Sequence, residues 1–150
     1  MRVPRVTGAP GRILLRLPNW LGDICMAAPT VAAVAAACPD AELVAQGPSA
    51  FLDLAALLPG VSRAMPAGRD RRLLDLRDSR RRLGAERFDA AVVFPRGARA
   101  MLAPRLAGIP QRVGYGARGH GLLLTHAVEG WRPWRRAHRS AFFGGLAQAF

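Results

Sequence analysis

The chain has 150 residues, 51% of them hydrophobic, and a formal net charge of +12 carried by 22 arginines and no lysine. That length suits one domain burying about 70% of the surface its unfolded form exposes, and the composition excludes a disordered chain. The longest uncharged run, Ile24 to Pro39, is mostly alanine and too short for a membrane span, and the opening "MRVPRVTGAPGR" lacks the apolar core of a signal peptide, so a cytoplasmic protein is expected.

In chain order, "RILLRLP" (Arg12 to Pro18) is a short, largely apolar run between turn residues, the pattern of a strand buried on both faces. "ICMAAPTVAAVAAAC" carries Ile24, Ala27, Val31 and Val34 at helical spacing and is apolar nearly all round, so it reads as a buried helix. Pro29 removes the bond to the Cys25 carbonyl and crowds that turn, which predicts a kink or an effective start nearer Pro29. "AELVA" (Ala41 to Ala45) reads as a second strand, "SAFLDLAALL" as a helix stopped by Pro59-Gly60, and "VSRAM" as a short third strand. The charged segment "RDRRLLDLRDSRRRLGAERF" is amphipathic, with Leu73, Leu76 and Leu83 at helical spacing. "DAAVVFP" (Asp89 to Pro95) is the clearest strand. "ARAMLAPRLAG" then reads as a helix ending at Gly108, "QRVGY" and "GLLLTHAV" as strands, and "RRAHRSAFFGGLAQAF" as a closing helix. Strands alternating with helices across short loops predict an α/β fold: a Rossmann-like parallel sheet with helices on both faces.

In such a sheet ligands gather beyond the carboxyl ends of the strands, which singles out "PNWLGD" after the first one. Gly22 allows a tight turn or a close ligand, and Trp20 offers either a flat platform for a sugar ring or a core-edge aromatic. Asp23 is either a general base for a substrate hydroxyl or a helix N-cap. Cys25 and Cys38 form no CxxC pair and have no histidine at ligand spacing, so neither a disulfide framework nor a zinc site is signalled. His120, His126 and His138 lack a carboxylate or serine at a diagnostic spacing. The arginine excess favours anionic partners, and the run from Arg69 to Arg82 is either a surface for anionic lipid or a solvated helix with pairs such as Asp78 with Arg82.

The stretch "ILLRLPNWLGDICMAAPTVAAV" resembles the opening of the ADP-heptose:lipopolysaccharide heptosyltransferases, glycosyltransferase family nine, above all the type that adds the second heptose. "LGAERFDAAVVFP" and "ARAMLAPRLAGIPQRVGYGARGHGLLLTHAV" continue the likeness in register from about Arg12 to the end. The resemblance implies the N-terminal, acceptor-binding domain of a GT-B enzyme over residues 12–150, preceded by a basic extension over residues 1–11, with the C-terminal donor-binding domain absent. It implies an inverting, metal-independent transfer with no cofactor and ADP-heptose as donor, inactive in this half alone. Asp23 falls on the family's proposed catalytic aspartate, and Asn19, Trp20, Gly22, Arg96, Arg99, Tyr115 and Arg118 are the implied substrate-binding positions. At "FPRGARAML" Arg96-Gly97 replaces an Asn-Ser pair more usual in relatives, while Arg99 matches a basic position. The implied partners are inner-core lipopolysaccharide and the inner face of the inner membrane, with no nucleic acid.

Two other classes compete with that reading. A Rossmann-type nucleotide-binding domain needs a Gly-rich phosphate turn after the first strand and an acidic residue closing the second, yet the chain has "PNWLGD" and Gln46-Gly47. A basic nucleic-acid-binding module has the charge, but one Tyr and no strand interleaving aromatic and basic residues argue against it.

Overall fold

The computed structural model describes residues 4–68, 73–116, 120–128 and 138–150. Of the sequence-based expectations, Arg118, residues 69–72 of the basic run and the first residues of the closing helix lie outside the described residues.

Six strands form one parallel sheet: β1 (Arg12–Arg16), β2 (Glu42–Gly47), β3 (Val61–Pro66), β4 (Ala90–Val93), β5 (Gln111–Tyr115) and β6 (His126–Val128), in the order β3-β2-β1-β4-β5-β6. The chain builds outward from β1 to β3, then returns to the other side of β1 with β4. This reversal creates a topological switch point between β1 and β4, where the loops that leave their carboxyl ends diverge. The expected α/β architecture is therefore present, with β1 in the interior of the sheet.

The connecting helices are α1 (Leu21–Ala37), α2 (Leu52–Ala56, entered through a 3₁₀ turn at Ser49–Phe51), α3 (Leu73–Ala85), α4 (Ala98–Leu106) and α5 (Arg139–Ala147). Strand alternation divides the core into two layers. Ile13, Leu15, Leu17, Val92 and Phe94 point to the side where α1 and α5 pack, with Val31, Val34, Phe142 and Phe143. Leu14, Val44 and Ala91 point to the opposite side, against Leu83 of α3 and Ala103 of α4. Gly108 closes α4 with φ of +76°, a conformation that Gly adopts without steric cost.

Two expectations need correction. The helix α1 starts at Leu21, well before Pro29, which sits inside it. An apolar face packed on the sheet outweighs one missing backbone bond. "GLLLTHAV" is not one strand: His120–Leu123 is a 3₁₀ turn, and only His126–Val128 joins the sheet. The Thr125 N–H donates to the Arg112 carbonyl at 3.1 Å just before this short strand begins.

The segment before β1 is laid against the body of the fold. The Val6 N–H donates to the Ala149 carbonyl at 2.7 Å, and the Thr7 N–H donates to Gln111 Oε1 at 2.7 Å. Asp89 Oδ2 accepts the Gly11 and Arg12 N–H groups at 2.8 and 2.9 Å, fixing the start of β1.

Candidate functional site

The carboxyl ends of β1, β2 and β3 border an open cleft of about 780 Å³, lined by Arg16, Asn19, Trp20, Pro48, Ser49, Ala67 and Gly68. Its walls are tied to the sheet: the Leu17 N–H donates to the Gln46 carbonyl at 2.8 Å and the Ala67 N–H to the Gly47 carbonyl at 2.7 Å. The volume suits a small ligand, since such pockets commonly run to several hundred Å³. Asn19 is exposed on this cleft, and Trp20, 76% exposed, stands at its mouth.

Trp20 occupies the N-cap position of α1 with extended backbone angles, and its carbonyl accepts the Ile24 N–H at 3.0 Å. Its indole is thereby held outside the core, so the core-edge alternative for this residue does not apply. Gly22 lies in the first turn of α1, and a Cβ built there meets no atom within 4 Å. What it provides is open space before the helix end; it makes no tight turn.

Asp23 is the third residue of α1, so it is not the N-cap. Its carboxylate lies within 3.3 Å of Arg139 Nε on α5, and its side chain is 27% exposed. A carboxylate in the first helical turn is also favoured by the positive end of the helix dipole. Asp23 does not line the cleft of Arg16 and Trp20: it sits one turn along α1, on the α5 side of the sheet edge. The site thus has two parts, a cleft over β1 to β3 and a carboxylate held by an arginine beside it, with Trp20 at their junction.

The loop after β4 reaches the same α5. Arg96 is exposed, and its guanidinium carbon lies 5.6 Å from the centre of the Phe142 ring, one turn beyond Arg139. Arg99 is exposed in the first turn of α4. Tyr115 requires correction: it is a core residue and does not reach the cleft. Its hydroxyl donates to the Phe142 carbonyl, its ring stacks on Phe142 at 4.3 Å, and burial pushes its pKa up to about 12. Gly145 of α5 leaves the room this hydroxyl needs, because a Cβ there would run into it.

Sequence reasoning missed Arg16, Arg139 and the walls at Ser49, Ala67 and Gly68. For Arg16 the signal was present, an arginine inside an otherwise apolar strand. For Arg139 there was none, because it meets Asp23 only through the packing of α5 on α1. Both cysteines are free, and burial pushes the Cys38 thiol up, away from a reactive thiolate. Among the described residues no three His, Cys, Asp or Glu side chains come together as metal ligands.

No protein-family model matches the chain. It is 32% identical over 128 residues to lipopolysaccharide heptosyltransferase 2 of Escherichia coli, covering 82% of this chain and 36% of that protein. It is 32% identical over 117 residues to the Salmonella typhimurium protein of the same name, covering 75% and 33%. The solved structure of E. coli ADP-heptose lipopolysaccharide heptosyltransferase II superposes with a TM-score of 0.76 at 26% identity, over 91% of this chain and 40% of that one. A glycosyltransferase family 9 structure from Veillonella parvula superposes at 0.78 with 15% identity, over 93% and 40%, a likeness of fold alone. The chain spans about a third of the length of the curated relatives it matches. With the shared fold and the identity carried across most of its residues, the chain belongs to the lipopolysaccharide heptosyltransferases of glycosyltransferase family nine.

Proposed function

We propose that this chain is the acceptor-binding half of a heptosyltransferase acting on inner-core lipopolysaccharide, with Asp23 as the general base. The observation that carries the reading is the Asp23 carboxylate: part exposed at the carboxyl edge of the sheet, oriented by Arg139 and not serving as the helix cap. An acceptor sugar lies over Trp20, and one of its hydroxyl oxygens attacks the anomeric carbon of an ADP-linked heptose. The bond from that carbon to the ADP oxygen breaks, ADP leaves with the electron pair, and Asp23 takes the hydroxyl proton. Attack opposite the leaving group inverts the anomeric centre. General-base assistance of this kind is worth about 10²–10⁴ in rate. Arg96 and Arg99, exposed after β4, offer guanidinium groups to an anionic acceptor, and the same positive edge suits an anionic membrane surface.

A donor half supplied by the rest of a GT-B enzyme completes the site in this reading. The test compares the chain alone with the chain joined to the C-terminal part of E. coli heptosyltransferase 2. Each is given ADP-heptose and heptose-deficient lipopolysaccharide. The joined protein is expected to transfer heptose; the chain alone is expected to bind the acceptor and transfer none. Full-rate transfer by these 150 residues, or failure of the acceptor to bind, would overturn the assignment.

A further inference from the structure

We infer that Tyr115 is a positioning residue for the transfer: through the first turns of α5 it sets where Arg139 stands, and so how the Asp23 carboxylate is aimed. The inference rests on the reading of Asp23 as the base and deepens it by naming the core group that keeps the base in line.

Two polar contacts fix the amino-terminal turns of α5. Arg139, its first residue, reaches Asp23 Oδ1 of α1 from Nε at 3.3 Å, and the Phe142 carbonyl one turn on accepts the Tyr115 hydroxyl from the end of β5. The rest of the seat is apolar. Phe142, Phe143 and Leu146 are buried in the core, and Phe143 meets Phe94 edge-on at 5.3 Å. Apolar burial is non-directional, so it sets the depth of α5 more firmly than its register. A hydrogen bond is directional, and this one falls on the backbone of the helix itself. Arg139 lies about 4.5 Å along the helix axis from Phe142, so a shift of that turn carries Arg139 with it.

The Asp23–Arg139 pair does not hold that aim unaided. The two side chains are 27% and 47% exposed, so water screens the pair and leaves it weak. The contact one turn away is buried and shaped for close approach. Gly145 of α5 carries no side chain, and a Cβ there would run into the Tyr115 hydroxyl. The Tyr115 ring stacks on Phe142 with centroids 4.3 Å apart, which keeps the hydroxyl from swinging away. Burial pushes the Tyr115 pKa up to about 12, so the hydroxyl remains a proton donor at any working pH. A phenylalanine would fill the same space; what the tyrosine adds is this one bond.

The test has two readouts on wild type, Tyr115→Phe, Gly145→Ala and Asp23→Asn, with a thermal melt of each setting a temperature at which every variant is folded. In the chain itself, the Arg139 Nε–H signal is followed by proton–nitrogen NMR. Asp23→Asn marks where that signal lies without its carboxylate, and Tyr115→Phe and Gly145→Ala are expected to move it toward that position. In the joined enzyme, Tyr115→Phe is expected to lower kcat about tenfold with KM for the acceptor unchanged, less than the roughly 10²-fold that a misplacement of about 1 Å can cost. A purely structural role would leave kcat intact at that temperature. An Arg139 signal unmoved by Tyr115→Phe overturns the inference, as does a signal that moves while kcat keeps its wild-type value. If Gly145→Ala fails to fold, Tyr115→Phe decides. Full transfer by Asp23→Asn removes the base and this inference with it, whereas lost transfer in Asp23→Asn beside wild-type kcat in Tyr115→Phe overturns the inference alone. If the joined wild type transfers nothing, the heptosyltransferase reading falls, and the NMR signal still decides whether Tyr115 places Arg139.

Discussion

The two ends of β1 carry the same residue type in different surroundings. At the amino end, Arg12 Nε meets Glu42 at 2.6 Å and its Nη1 donates to the Glu86 carbonyl at 2.6 Å. Arg63 closes the ring by reaching Glu42 at 3.0 Å and then Glu86. Two guanidinium groups and two carboxylates thus clamp β1, β2 and β3 to the turn before β4. The nearby recess, bordered by Pro10, Cys38 and Asp40, is only about 160 Å³. At the carboxyl end, four residues along, Arg16 borders a cleft of about 780 Å³ that Asn19, Trp20 and Ser49 also line. A ring of ion pairs at one edge closes the fold, and at the other edge the sheet opens onto a cleft. The contrast separates a closed, ion-paired edge from an open one, a distinction that the net charge cannot make.

The largest effect that would break this comparison is on chemistry. In the joined enzyme, Asp23→Asn is expected to lower transfer about 10²–10⁴-fold while lowering the melting temperature by no more than a few degrees, the share of its pair with Arg139 and of the helix dipole. Retained transfer with lost stability would make the carboxylate a structural partner of Arg139 and nothing more. Next in size, Tyr115→Phe is expected to cost about 1–3 kcal/mol in chemical denaturation, because the Phe142 carbonyl loses its buried donor. Acceptor binding by that variant should match wild type, and a loss of binding without a loss of stability would return Tyr115 to the site.

The amino-edge clamp gives a smaller, pH-dependent effect. The hydrogen bond from Arg63, then that from Arg12, holds the Glu42 carboxyl below its ordinary value near 4.5. A depressed folded-state pKa contributes stability that is complete above the ordinary value and lost as pH falls through the folded one. Thermal melts between about pH 5 and about pH 3 should therefore fall more steeply for wild type than for Glu42→Gln, by no more than a few degrees because the pair is partly solvated. Parallel curves would show the clamp to be indifferent to that proton. Smallest of all in stability is Gly22→Ala, expected to gain at most about 1 kcal/mol from helix propensity, since its Cβ meets nothing. Transfer by that variant should fall if the open space is where substrate lies, and unchanged transfer would place the substrate elsewhere.

Much of the fold was legible in the sequence because buried parallel strands are uninterrupted apolar runs between turn residues, as in "RILLR" and "DAAVVFP". "GLLLTHAV" misled for the same reason. An apolar run has no period of its own, and here Leu122 is 85% exposed while Leu124 is buried against α4. Of the two readings of Pro29, the late helix start fails because the packed apolar face carries α1 back to Leu21. In the site, Trp20 and Gly22 stood out as residues that ordinary strand-to-helix turns do not need. Tyr115 was drawn toward the site by its place after a strand, and only packing shows its hydroxyl turned into the core. Arg139 was beyond reach, because its contact with Asp23 joins opposite ends of the chain.

The most direct measurement follows backbone amide shifts by NMR as the chain is titrated with heptose-deficient inner-core oligosaccharide. Saturable shifts are expected at Asn19, Ser49, Ala67, Gly68 and the Trp20 indole, with silence at Gly11, Arg12, Glu42 and Arg63. Shifts centred on the amino edge, or none at the carboxyl edge at saturating oligosaccharide, would contradict the assignment of that edge to the acceptor.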